Sequence, residues 1–82
     1  MKKVVLLPVA AKALRRHRAD AERILGKINA YAADPASQAN NVKVLQGFGE
    51  LRQRVGDYRI IFTEREREII VSRIGPRGSV YE

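Results

Sequence analysis

Leu51-Arg52-Gln53-Arg54-Val55-Gly56-Asp57-Tyr58-Arg59-Ile60-Ile61-Phe62 is the stretch on which the fold turns. Leu51 to Val55 alternates apolar and polar residues, the period of a half-buried strand. Tyr58 to Phe62 alternates less cleanly, and Gly56-Asp57 between the two runs is a two-residue hairpin signal. That loop length sets the register: Val55 faces Tyr58, Arg54 faces Arg59, and Arg52 faces Ile61. Side chains alternate across a strand, so Arg52, Arg54 and Arg59 share one face. Leu51, Val55, Tyr58, Ile60 and Phe62 take the other, where helices can cover them.

Upstream, residues 34–43 read as a polar loop, and Val44-Leu45-Gln46-Gly47 leads into the hairpin. Before the loop, Ala21, Ile24, Leu25, Ile28, Tyr31 and Ala32 fall on one helical face. Asp20 is the expected N-cap of that helix and Asp34-Pro35 its stop. A shorter helix is expected over Val9 to Arg18, with Ala10, Ala13, Leu14 and His17 on its stripe. Pro8 suits its first turn. The two helices are expected to form an antiparallel hairpin. Val4 to Leu7 is a first strand, because its apolar run is too short for a secretory h-region. Downstream, Glu64-Arg65-Glu66-Arg67 is a charged turn and Ile69 to Ile74 a strand. Gly75-Pro76-Arg77-Gly78 breaks it, and Ser79-Val80-Tyr81 forms a terminal extension. The order is β-α-α-β-β-β, which predicts an α+β fold: one twisted antiparallel sheet, a helical hairpin on one face, the other face open.

Size and composition bound the function. At 82 residues the chain is read as one domain, residues 1–82, with a modest core. It has no cysteine and one histidine, which excludes zinc–thiolate sites and makes a metal cluster a poor expectation. No apolar run approaches the roughly 18 residues of a membrane span, and a cytoplasmic protein is expected. Sixteen Lys and Arg against nine Asp and Glu give a net charge of +7. Such an excess favours nucleic acid or another polyanion.

Two readings of the arginine face stand side by side. Like charges directly opposite one another destabilise a sheet. The Arg54–Arg59 pair with Arg52 nearby is then either a solvated surface, screened by salt or relieved by Glu50 or Asp57, or a cluster built for phosphate. The planar guanidinium fork suits phosphate oxygens, and several together would stabilise charge growing on a phosphate. Arg77, between Pro76 and Gly78, is either a turn residue or aimed back over the sheet. Tyr81 is either a hydrophobic cap or a group that stacks on a base, bonds a phosphate or accepts a proton. His17 reads as a packed or surface histidine rather than a general base. Lys12, Arg15, Arg16 and Arg18 form either an RNA contact or a solvated helix face.

Taken together, Lys43 to Gly47, Leu51 to Phe62 and Ile74 to Tyr81 resemble the RelE/ParE toxin superfamily, and the element order agrees. The ending Ile74-Gly75-Pro76-Arg77…Val80-Tyr81 is similar to the RNA-cleaving RelE branch. The resemblance implies a ribosome-dependent endoribonuclease that cuts messenger RNA in the ribosomal A site. The RNA 2′-hydroxyl attacks the adjacent phosphate, with no metal or other cofactor. Arg59 and Arg77 are implied as phosphate and transition-state binders, and Tyr81 as a stacking residue or proton acceptor. Arg52 and Arg54 are implied to bind RNA and raise the local potential, with Arg54 counted among the catalytic set. The best-known RelE pattern has lysines where Arg52 and Arg54 stand, and arginine cannot shuttle protons as lysine can. The same scaffold serves ParE-like inhibitors of DNA gyrase, and a catalytically inactive ribosome- or RNA-binding module is a third reading. Each toxin reading implies a cognate antitoxin as partner, with no membrane involved.

Overall fold

The computed structural model describes residues 1–45 and 49–78. Its elements are β1 (Lys3–Leu6), α1 (Pro8–Arg16), α2 (Arg18–Ala33), a 3-10 helix (Pro35–Asn41), β2 (Val42–Val44), β3 (Glu50–Val55), β4 (Tyr58–Glu64) and β5 (Glu68–Pro76). Among the described residues the strands form one sheet in the order β1-β5-β4-β3-β2.

The β3–β4 hairpin has the expected register: Val55 pairs with Tyr58, Arg54 with Arg59 and Arg52 with Ile61. Gly56 takes a φ of +57° at the first loop position, a backbone that L side chains rarely adopt. Glycine there suits the tight turns whose twist matches a hairpin.

Three features depart from the expected architecture. The sheet is mixed rather than antiparallel throughout, because β1 pairs with β5 in parallel, from Lys3–Glu68 to Leu6–Val71. Parallel neighbours need a long crossover, and the whole chain between β1 and β5 supplies it. Second, residues 34–43 are not an irregular loop. They hold the 3-10 helix and most of β2, whose Val42 and Lys43 pair with Gln53 and Arg52. Third, β5 runs on through Gly75 and Pro76 instead of stopping at Ile74. It is also bulged: Ile61 pairs with Arg73 but Phe62 pairs with Val71, so Ser72 is the extra residue. The bulge flips the alternation. Ile69 and Val71 before it, and Ile74 after it, therefore all face the helices and are buried. Ser72 Oγ donates to the Ile61 carbonyl at 3.2 Å across this irregularity.

The helices cover one face. Ala10 and Leu14 of α1, and Ile24, Ile28, Tyr31 and Ala32 of α2, pack on Val55, Ile60, Phe62, Ile69, Val71 and Ile74. Burying each large apolar side chain contributes about 1.5–3 kcal/mol. His17 alone joins α1 to α2, and it occupies the cap position expected of Asp20. Asp20 sits in the first turn, where its charge suits the helix dipole. There it accepts the Tyr58 hydroxyl proton at 2.7 Å. At the far end of β4, the Tyr31 hydroxyl donates to Glu64 Oε1 at 2.6 Å. These two bonds show that α2 runs along β4 from its start to its end. α1 runs the opposite way, from Leu7, whose N–H meets the Val71 carbonyl, to His17 beside Tyr58.

Glu64 is the centre of a polar clasp at the far end. Lys2 Nζ donates to Glu64 Oε2 at 2.8 Å and to the Arg65 carbonyl at 2.7 Å. The bonds from Lys2 and then from Tyr31 hold the Glu64 carboxyl below its usual pKa of 4.5. Burial, then the Glu64 carboxylate, push the Tyr31 phenol up to about 12. Gln53, fully buried, donates through Nε2 to the Lys27 carbonyl at 2.9 Å and ties β3 to α2.

Candidate functional site

With the helices on one side, alternation puts a basic set on the other. On β3 and β4, Arg54 and Arg59 are directly opposite, and Arg52 faces Ile61. On the flanking strands, Lys43 is beside Arg52, and Arg73 is beside Ile61. Ile61 is only 4% exposed although it points away from the core. Long cationic side chains bury their methylene stems on such a residue while their heads stay in water.

Lys43, Arg52, Arg54, Arg59 and Arg77 line an open concavity of about 500 Å³, with Asn40, Asn41 and Gly78 at its rim. Backbone geometry fixes two of these arginines. Arg59 Nη1 donates to the Gly56 and Tyr58 carbonyls at 3.1 and 2.9 Å, which folds the guanidinium onto the hairpin. The Arg77 N–H donates to the Asp57 carbonyl at 2.7 Å, tying the turn after β5 to the hairpin tip. Gly78 follows with a φ of +92°, which permits that turn. Gly75, opposite Arg59, adds no side chain to fill the space. Among the described residues no carboxylate forms an ion pair with Arg54, Arg59 or Arg77. Asp57 lies next to them and forms no ion pair with these three.

Of the residues singled out in the sequence, Arg52, Arg54, Arg59 and Arg77 come together. Tyr81 lies outside the described residues, as does the rest of the terminal extension. Lys12, Arg15 and Arg16 are exposed on α1 and do not line the concavity. Lys12 and Arg16 border a separate groove against the end of β5, together with Ser72 and Arg73. His17 is packed edge-on to the Tyr58 ring, with ring centroids 5.2 Å apart, on the helix side of the sheet. Tyr58 is also on that side. Its bond to Asp20, then burial, raise its pKa, and both rings lie across the sheet from the arginine face. Lys43, Asn40 and Asn41 line the concavity without having been expected there, whereas Arg73, beside Ile61 by register, lines the groove with Lys12 and Arg16. Lys43 would have been legible had Val42–Val44 been read as a strand. The face of Arg73 was hidden by the bulge.

A family model described as the ParE toxin of the parDE type II toxin–antitoxin system matches residues 4–81. The chain belongs to this toxin family. This ParE-family toxin, of the RelE/ParE superfamily, has the RelE-like fold. It is similar to a chain of the archaeal RelE–RelB complex from Pyrococcus horikoshii OT3, at 27% identity and a TM-score of 0.77, over 95% of this chain and 97% of that one. YafQ from E. coli strain BL21(DE3) shares the fold at 14% identity and a TM-score of 0.73, over the full length of both chains. So does a chain of the toxin–antitoxin complex RelBE2 from Mycobacterium tuberculosis, at 21% identity and a TM-score of 0.64, over 93% and 98% of the two chains. No curated protein sequence matches the toxin. No helix among its described residues is long and apolar enough to cross a membrane.

Proposed function

We propose that this toxin is a metal-independent endoribonuclease that cuts messenger RNA in the ribosomal A site and so stops translation. The observation that carries the reading is the convergence of Arg52, Arg54, Arg59 and Arg77 on one concavity, with Arg54 and Arg59 paired face to face. A sheet that holds like charges opposite each other forgoes stability, and a phosphate between them restores it.

The RNA 2′-oxygen forms a bond to the adjacent phosphorus while the bond to the 5′-oxygen of the next nucleotide breaks. The 2′-hydroxyl proton leaves to a base, and the departing 5′-oxygen takes up a proton. Negative charge grows on the phosphoryl oxygens. Arg59, whose Nη1 is held by the hairpin carbonyls, and Arg77, whose backbone is tethered to Asp57, meet that charge with their guanidinium groups. Arg54 and Arg52 hold the strand and raise the local potential. Arginine stays protonated, so these residues stabilise charge and do not shuttle protons. The resemblance to the RNA-cleaving branch gives Tyr81 the stacking or proton-accepting role. A cognate antitoxin, as in the RelE–RelB and RelBE2 complexes, keeps the toxin silent. An acidic segment on that partner would complement the basic face.

The test is a reconstituted translation reaction with messenger RNA ends mapped by primer extension, beside a ribosome-free control. Cuts that appear only with translating ribosomes are expected. Intact messenger RNA with properly folded toxin would overturn the reading. The match to the ParE family model favours a second reading, inhibition of DNA gyrase without catalysis. Loss of gyrase supercoiling while translation continues would put that reading first.

A further inference from the structure

The geometry points to a second phosphate-binding station behind the β3–β4 hairpin, formed by Arg23 and Lys27 of α2, so that bound RNA runs over the hairpin tip instead of towards α1. This inference rests on the RNA reading above and adds the path of the strand to it.

A second basic groove, of about 530 Å³, is lined by Arg23 and Lys27 together with Arg54, Arg59 and Arg77. The last three also line the concavity on the open face, so the two spaces are continuous around the hairpin. The groove beside Lys12 and Arg16 shares no lining residue with either. Asp57 is the acid that lines the second groove, against five cations. Its lining is otherwise short on apolar surface, which suits a solvated phosphate backbone better than an apolar protein segment.

Arg23 is set in place there. Asp20 Oδ1 accepts from its Nη2 at 3.2 Å. A methyl group placed on Gly56 would meet Nη2, Cζ and Nη1 of Arg23 at 3.4 to 3.5 Å. Near-equal distances to three atoms mean that the guanidinium lies flat over the glycine. That is ordinary van der Waals contact, so Gly56 is required at this point by its positive φ, and the Arg23 guanidinium rests against it. Lys27 follows one helical turn later, exposed on the same side of α2. A backbone that leaves the Arg54–Arg59–Arg77 cluster around the hairpin meets these two cations next.

The experiment uses the full chain and 2′-O-methyl oligouridine, which lacks the attacking hydroxyl and stays intact. Binding of a trimer and of a nonamer is measured by fluorescence anisotropy across a salt series for the wild type, R23Q/K27Q and K12Q/R16Q. Each phosphate contact on a single strand contributes about 0.7 to the slope of log affinity against log salt. R23Q/K27Q is expected to lower the nonamer slope by about 1.4 and leave the trimer unchanged, while K12Q/R16Q leaves both unchanged. Should loss of the Asp20 contact unfold the double variant in a melting control, K27Q alone is expected to lower the nonamer slope by about 0.7. A nonamer slope unchanged by R23Q/K27Q, or lowered instead by K12Q/R16Q, overturns the station. So does an unchanged slope joined to weaker capture of a polyglutamate peptide, which would assign the groove to a protein partner. A wild type that binds neither oligomer overturns the station, while the RNA reading itself stands or falls on ribosome-dependent cleavage in the translation reaction.

Discussion

Gln53–Ile60 and Arg54–Arg59 are adjacent cross-strand pairs on the same hairpin, and they live in opposite worlds. Gln53 and Ile60 are fully buried under α2, with the Gln53 amide bonded to a helix carbonyl. Arg54 and Arg59, one residue along, face out with like charges opposed. Val55, Phe62, Ile69, Val71 and Ile74 pack into the core on the same side. On the arginine side the arrangement costs stability and gains a concentrated positive field. The two faces thus divide, with packing on one and, on the other, the concentrated positive charge on which the proposed chemistry rests.

The largest expected effect that sharpens this contrast is on the covered face. Phe62→Ala removes a fully buried ring and is expected to destabilise the fold by about 3–5 kcal/mol. Chemical denaturation measures it, and a loss below about 1 kcal/mol would break the assignment of the core to that face.

Next comes the polar clasp. Tyr31→Phe removes a hydrogen bond to a carboxylate and is expected to cost about 1.5–3 kcal/mol near neutral pH. Two pH windows follow. Glu64 has its folded pKa lowered, so its contribution is present above the unfolded value of 4.5 and lost as pH falls further, through the folded value. The stability gap between the wild type and Glu64→Gln should narrow below that value. Tyr31 has its folded pKa raised from 10.0 to about 12, so its contribution is present below 10 and lost as pH rises through that interval. The advantage of the wild type over Tyr31→Phe should therefore fade in alkali. Melting curves across pH check both, and a gap independent of pH would contradict the clasp.

The smallest effect is on the open face and has the opposite sign. Arg54→Gln relieves a like-charge pair and is expected to raise stability by about 0.2–1 kcal/mol at low salt. The gain should vanish as salt screens the charges. Thermal melts at two ionic strengths decide it, and a loss of stability would mean that Arg54 holds the fold together.

The hairpin was legible in the sequence because a two-residue loop leaves one register, and Leu51 to Phe62 states its own alternation. So was the core stripe of α2, where Ile24, Ile28, Tyr31 and Ala32 are buried. What was not legible depends on partners distant in sequence. Nothing in Val4 to Leu7 specifies a parallel neighbour, and Val42–Val44 is a strand because β3 offers it an edge. The bulge at Ser72 is invisible to a period-two reading, and with it the face of Arg73. The candidate site was legible to the extent that it lies on the hairpin: Arg52, Arg54 and Arg59 follow from register alone. Arg77 joins them through a backbone bond to Asp57 that no spacing announces. Lys12, Arg15 and Arg16 show the converse. A run of cations is evident in the sequence, but the way a helix faces is set by what it packs on, and theirs leads elsewhere.

The division between the two faces is tested most directly by single-turnover cleavage of ribosome-bound messenger RNA, with Arg77→Ala compared with Arg16→Ala at matched folding stability. Arg77→Ala is expected to slow cleavage by about 10² to 10³-fold, the loss typical of one preorganised charge-stabilising donor, and Arg16→Ala to stay within a few-fold of the wild type. Equal rates in the two variants, or a greater loss from Arg16→Ala, would contradict the assignment of the chemistry to the arginine face.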